Sequence, residues 1–520
     1  MNVHTQAAKV QQTSNDYGIR IDPIEGQVSA WRNDVCIARS DRAKIMHETR
    51  LDSVVYFPPE DILVPLFDDS ELRTFCPFKG TATYFDMDVE GERTADAAWS
   101  YRKVLPEGEG VEGYIAFLPD SVTRIDVEGV EPASPFGGHI AGPTVDWLMR
   151  EASTCRSPEE LTAAIARKFV EDGIAVSRLS IMIWSLHPLI AGKNYIWSRD
   201  TDSVAAYSPD HGLLNRATFI DSPLRHVSNG LGGVRQRLDV DEYEFSFPIL
   251  EDLKASGATD YVAMPLPFSN GQINVMTLTC DHPKGFTTPN LGLVFECSAV
   301  ISRFFEVFTL QDNAKSLLET YLGKRTGARV LGGEIRRGDG DEIDAAILFC
   351  DLRGSSILED QLDRDSYIAL LNTFFETTTD IINAHDGEVL KFIGDAVLAI
   401  FPAGDDRAKA CRQALDSAVE IARQLAKSAL VEKSFALESA TGIAFGKVTY
   451  GNIGSLERLD FTVIGKAANI AARLGDYGKV HGHAIVASKD VIADPSSAQP
   501  LGLIELRNVS EPVETFAVST

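Results

Sequence analysis

Residues 345–356 read AAILFCDLRGSS, 387–401 read GEVLKFIGDAVLAIF, and 438–454 read ESATGIAFGKVTYGNIG. Each is an apolar, β-rich run interrupted by Gly or Asp, the pattern of a buried strand or a hairpin. Between the first two lies DSYIALLNTFFETTTDIINAH (365–385), with apolar residues at i, i+3, i+4 and i+7. Between the second and third lies DRAKACRQALDSAVEIARQLAK (406–427), a second helical stretch. The order is β-α-β-β-α-β, which predicts a ferredoxin-like sheet covered on one side by helices.

Two aspartates fall where strands end. Asp351 closes the strand AILFC, and Asp395 sits in the turn KFIGD between two apolar strands. Paired carboxylates at such ends suit hard oxygen ligation of Mg²⁺, which takes one or two carboxylates plus substrate phosphates. They equally suit plain turn formation, which Asp favours. Downstream, FTVIGKAANIAARL (461–474) places Asn469 and Arg473 at i and i+4, on one helix face. An amide beside a fixed positive charge can hold a ribose and a phosphoryl group, or simply face solvent.

Taken together, FCDLRGSS, EVLKFIGDAVLAIF, TGIAFGKVTYGNIGS and LDFTVIGKAANIAARL resemble the catalytic domain of class III nucleotidyl cyclases over residues 343–520. The resemblance implies a ferredoxin-like domain that dimerises head to tail, with each active site at the interface. It makes Asp351 and Asp395 the ligands of two Mg²⁺ or Mn²⁺ ions, assisted by the Leu352 carbonyl. It makes Asn469 the ribose-orienting residue and Arg473 the stabiliser of charge at the α-phosphate. Lys391 and Thr462 fall at the base-reading positions, as in the Lys/Thr adenylyl cyclase subclass, where bicarbonate stimulation occurs. Arg507, in IELRNVSEPVETF (504–516), is the nearest match to a lysine that contacts the triphosphate. Base choice has its own physical argument: Lys391 only donates, so it satisfies the N1 acceptor of adenine, whereas guanine N1 carries a proton. The expected reaction is attack of the ATP 3′-oxygen on the α-phosphorus, giving 3′,5′-cyclic AMP and pyrophosphate. The alternative is a catalytically silent sensor that binds nucleotide or ligand and uses the cyclase-like domain to dimerise. A guanylyl cyclase is the third reading.

Upstream, the expected organisation is a loose arm at 1–20, a small β-rich domain at 21–126, a linker at 127–142, an α+β domain at 143–322 and a second linker at 323–342. YFPPEDI (56–62), CPFKGTATYFD (76–86), AAWSY (97–101) and GYIAFLPD (113–120) resemble the "domain of unknown function 427" family; Tyr56, Cys76, Lys79 and Tyr84 are candidates to line a pocket there. Ser157 reads as a helix N-cap and Gly173 as its stop. SPLR (222–225), GATDYVAMPL (257–266) and KGFT (284–287), followed by a long helix, resemble GAF-type sensory domains, implying an unknown small-molecule effector. The helix ending near Tyr321 is expected to couple this domain to the cyclase homodimer. His187, before Pro188, reads as a packed or surface histidine. GLGGVR (230–235) and IGKAAN (464–469) lack the spacing of a dinucleotide or P-loop motif.

Composition narrows the partners. The 520 residues carry a net charge of −26, which opposes nucleic-acid and anionic-membrane binding. No apolar run reaches a membrane-spanning length. Seven scattered cysteines without a CxxC pair argue against a disulfide framework, so a reduced, cytoplasmic protein is expected.

Overall fold

A computed structural model describes residues 18–49, 51–135, 143–239, 245–427 and 437–520. The chain divides into two units, Met1–Asn313 and Ala314–Thr520. The expected arm lies outside the described residues except for its last three, where a strand, Ile19–Pro23, already begins.

In the first unit, eleven strands between Ile19 and Val130 build three small antiparallel sheets. The last, Arg124–Val130, pairs with Glu25–Arg32, so residues 127–130 are sheet and not linker. Residues 136–142 of that expected linker lie outside the described residues. Beyond it, helices Pro143–Arg150 and Pro158–Glu171 precede a six-stranded antiparallel sheet. The Ser157 hydroxyl accepts from the Glu160 N–H at 3.1 Å, and Gly173 takes φ +81°, as the cap and stop signals require. Strand Val176–Trp184 is central and has buried residues on both faces. Its Leu179 and Ile181 join one core with Phe169 and Leu278, while Met182 joins another with Val227 and Leu250. A 35-residue helix follows, Thr288–Leu322. All seven cysteines are unpaired.

The second unit follows the predicted order. Its elements are β1 (Gly340–Leu352), α1 (Ser355–Gln361), α2 (Arg364–Ala384), β2 (Glu388–Ile393), β3 (Ala396–Pro402), α3 (Arg407–Lys427), β4 (Ser439–Gly454), β5 (Leu459–Ile464), α4 (Lys466–His481), β6 (Ile485–Ser488), β7 (Gln499–Ile504) and β8 (Val513–Val518). The sheet runs β2-β3-β1-β4-β6-β8-β7, with β5 alongside β4. The β2-β3-β1-β4 core has the ferredoxin-like arrangement. Phe374, Ile382, Ala414 and Ile421 from α2 and α3 cover one face. The opposite face is covered as well, contrary to the one-sided expectation: Phe461 and Val463 of β5 and Ala467 and Ala471 of α4 pack on Ile347, Ile400 and Ala444. Gly442 permits this closeness, because a Cβ there would lie 2.0 Å from the Ala471 carbonyl oxygen.

The expected 323–342 linker is largely structured. Helix Lys324–Leu331 fills its first half, and β1 opens at Gly340. The Thr326 N–H and hydroxyl both donate to Glu388 Oε1, at 3.0 and 2.9 Å, and Tyr450 donates to Oε2 at 2.8 Å. Arg329 stacks over the Tyr450 and Phe461 rings. The composition of this stretch, rich in Gly and charge, hid a helix fastened by a buried carboxylate.

Candidate active site

Sheet register brings the two aspartates together. Asp351 lies opposite Ala396 of β3, the residue after Asp395, and the Leu352 N–H donates to the Asp395 carbonyl at 3.3 Å. Gly394, at φ +63°, supplies the left-handed turn. Asp351 is 8% exposed. Lys479 of α4 donates to its Oδ2 at 2.5 Å, while Oδ1 is buried without a hydrogen-bond partner. Burial pushes the Asp351 carboxyl above its usual range, Lys479 pulls it down, and the charges of Asp395 and Asp476 push it up again. Leu352 itself is buried.

One face of α4 faces this cluster. Arg473 pairs with Asp476 at 3.0 Å, and Lys479 follows one turn later. Asn469, a turn before Arg473, is exposed. Sequence reasoning missed Asp476 and Lys479, although the 473-476-479 spacing marks them as a continuation of the same helix face.

A second cluster forms where β2 approaches β5. A β-bulge between Val389 and Lys391 interrupts the ladder, and Lys391 donates to Asp460 Oδ2 at 2.9 Å. The hydrogen bond from Lys391 holds the Asp460 carboxyl below its ordinary range. The sequence reading paired Lys391 with Thr462, but the side chain that closes on it is Asp460, two residues earlier and on the same face of β5. Thr462 is half-buried beside it. Arg507 is exposed in the turn between β7 and β8, next to Leu506, which packs on Leu474 of α4.

The arrangement offers a crowded acidic cluster, Asp351 with Asp395 and Asp476, in which Lys479 pairs with Asp351 and Arg473 with Asp476. Two neighbouring carboxylates, one with an unsatisfied buried oxygen, are a donor set that suits a hard divalent cation.

Against known proteins, residues 341–516 match the family described as "Adenylate and Guanylate cyclase catalytic domain", and residues 20–129 match "Domain of unknown function (DUF427)". Uncharacterized proteins of Mycobacterium bovis and Mycobacterium tuberculosis are each 32% identical over 197 residues, covering 36% of this chain and 34% of theirs. The chain thus spans about a third of the length of the curated relatives it matches. Among solved structures, it is similar to the adenylyl cyclase CyaB from P. aeruginosa, with 26% identity over 35% of this chain and 95% of that one, at a TM-score of 0.31. It is also similar to a guanylyl cyclase, with 28% identity over 34% of this chain and 93% of that one, at a TM-score of 0.31. The family match sets an adenylate/guanylate cyclase-type catalytic region at residues 341–516. Among the described residues, no helix is long and apolar enough to cross a membrane.

Proposed function

We propose that residues 341–516 act as an adenylyl cyclase, converting ATP to 3′,5′-cyclic AMP and pyrophosphate in a homodimer. The supporting observation is the register that sets Asp351 beside Asp395, with one buried Asp351 oxygen unsatisfied. These carboxylates and the Leu352 carbonyl would hold Mg²⁺ or Mn²⁺. Bound there, the ions supply charge neutralisation on the phosphates and make the 3′-hydroxyl more acidic.

The chain's own side chains do the rest. Lys391 donates to adenine N1, and Asp460 or Thr462 accepts from the exocyclic amine, a pattern that guanine does not present. The Asn469 carboxamide orients the ribose. Arg473 stabilises electrostatically the negative charge that grows at the α-phosphate. Arg507 is the candidate contact to the triphosphate. Each lysine must change partners on the way: Lys391 leaves Asp460 to read the base, and Lys479 yields Asp351 to a divalent cation. Upstream, residues 143–322 form a GAF-like regulatory region for a small-molecule effector, coupled through the helix ending at Leu322. Bicarbonate is a candidate effector at the cyclase domain.

The two ion pairs also favour a second reading. With Lys391 held by Asp460 and Asp351 by Lys479, both clusters are closed, as in a silent sensor that binds nucleotide without turning it over. The test is product formation from ATP and from GTP by the full chain with Mg²⁺ or Mn²⁺, beside Asp351→Ala. Cyclic AMP in excess of cyclic GMP, lost in the variant, is the expected result. Nucleotide binding without product supports the sensor, and cyclic GMP in excess overturns the adenine assignment.

A further inference from the structure

The β-rich N-terminal region encloses a cavity of about 210 Å³ whose walls are aromatic and whose base is charged. Lys79 forms that base. It is 8% exposed and donates to Glu48 Oε2 at 2.5 Å, and its ammonium lies 5.8 Å from the centre of the Tyr101 ring. An ammonium carries three donors, and this one bond to Glu48 occupies one of them. Trp99 stands between Tyr56, edge-on at 6.3 Å, and Tyr84, tilted at 6.5 Å. A bond between the Tyr84 hydroxyl and Thr74 Oγ1, at 3.0 Å, fixes the Tyr84 ring.

Lys79 is held in place from behind. Its segment, FCPFKG (75–80), ends at Gly80, where φ is +97° and a Cβ would meet the Lys103 carbonyl oxygen at 2.8 Å. Phe78 is fully buried in the core that contains Leu161, Leu179 and Leu278. Phe75 rests on Gly232 and Gly233, where any Cβ would strike its side chain. This accounts for two glycines of GLGGVR: Gly232 and Gly233 make room for Phe75. The floor of the cavity is thus wedged into the neighbouring α+β region.

The cavity is not a nucleophilic centre. Tyr56, Lys79 and Tyr84 line it as expected, but Cys76 does not, and burial pushes both the Cys76 thiol and the Tyr101 hydroxyl up, so both keep their protons. A buried ion pair stabilises little more than a well-packed apolar replacement. Packing alone therefore gives no reason to keep this one at the bottom of an open space.

The electrostatics select the ligand. Lys79 and Glu48 together are neutral. An anionic ligand would sit beside Glu48, with Asp52 also in the lining, and a cationic one would face Lys79. A neutral acceptor takes a remaining Lys79 N–H without unbalancing either charge. We propose that this cavity binds a small, neutral, planar molecule bearing a carbonyl or carboxamide, the oxygen on Lys79 and the ring against Trp99 and Tyr84.

The test is calorimetric titration of the full chain with nicotinamide, nicotinate and 3-(aminomethyl)pyridine, one ring with neutral, anionic and cationic head groups. Nicotinamide is expected to bind saturably and about tenfold tighter than either charged analogue, the size of one to two hydrogen bonds. Trp99→Leu is expected to weaken it about tenfold with the melting temperature preserved. Lys79→Met combined with Glu48→Gln removes the pair together and is expected to abolish binding in a folded protein. Preference for a charged analogue, no saturable binding of any of the three at millimolar concentration, or unchanged binding in a folded Trp99→Leu protein overturns the proposal.

Discussion

Two buried aspartates, one in each unit, look alike until their neighbours are counted. Asp260 is fully buried, and its Oδ2 accepts from Arg235 at 3.2 Å and from the Phe286 N–H at 3.0 Å. Asp351 has Oδ2 on Lys479. In both, Oδ1 is buried and unpaired, and burial pushes the carboxyl up. The difference is the charge around them. Arg235, almost fully buried, and Arg237 pull the Asp260 carboxyl down, whereas Asp395 and Asp476 push Asp351 further up. Lys479 is a third exposed and can swing away, while Arg235 is pinned by Asp260, Glu107 and the Pro77 and Phe286 carbonyls. An orphaned buried oxygen does not by itself make a site. Asp260 is tied by two guanidinium groups that lower it and acts as a lock; Asp351 has one lysine against two neighbouring carboxylates and is the proposed cation ligand.

The comparison is most exposed to substitution of the two acids by their amides. Asp351→Asn is expected to lower cyclic nucleotide production about a thousandfold, roughly 4 kcal/mol of barrier, without lowering the melting temperature, because it relieves like-charge crowding. Asp260→Asn is expected to do the reverse. It takes from buried Arg235 the closer of its two carboxylates, leaving Glu107 at 3.5 Å, which costs about 3 kcal/mol, read as lost hydrogen-exchange protection across 260–286. Equal stability losses in the two variants would erase the distinction.

Lys479→Met sharpens the same contrast from the other side. Removing the competing ammonium leaves Asp351 without its ion-pair partner, so Mn²⁺ is expected to bind the full chain about tenfold tighter. Electron paramagnetic resonance of free Mn²⁺ measures this directly. Weaker Mn²⁺ binding would mean that Lys479 orients the carboxylate and does not compete for it.

How much of this was legible in the sequence follows from the range of each signal. The ferredoxin-like core was readable because its signals are local: a short unbroken apolar run for AILFC and a period of 3.6 for residues 365–385 and 406–427. Asp351 and Asp395 were readable because strand ends and turns are written in neighbouring residues. Asp460 was not, because a bulge at Val389 and Lys391 decides which residue of β5 the lysine meets. Helix Lys324–Leu331 was missed because its stability comes from Glu388 and Tyr450, over sixty residues away, and not from helix propensity in a stretch with Gly327. Covering of the second sheet face depends on Gly442, whose meaning appears only when α4 lies on it.

The smallest expected effect is a pH signature of the first unit. His226 lies edge-on to Phe247 at 5.9 Å, and burial lowers its pKa from the ordinary 6.5, more than the Leu231 backbone contact raises it. The unfolded chain therefore binds this proton more tightly than the folded one. Stability from His226 is complete above pH 6.5 and is lost as pH falls from there through the lowered folded value. The loss is expected to be about 1 kcal/mol or less, since the ring is half-exposed to water. Thermal melts of wild type and His226→Phe between neutrality and mild acid isolate it: the wild type should lose more stability than the variant. Because this group belongs to the first unit, Mn²⁺ affinity in the second should show no difference between the two proteins over the same range. If the variant shifted that affinity, the charge around Asp351 would not be set by its own neighbours, and the contrast between the two aspartates would have to be redrawn.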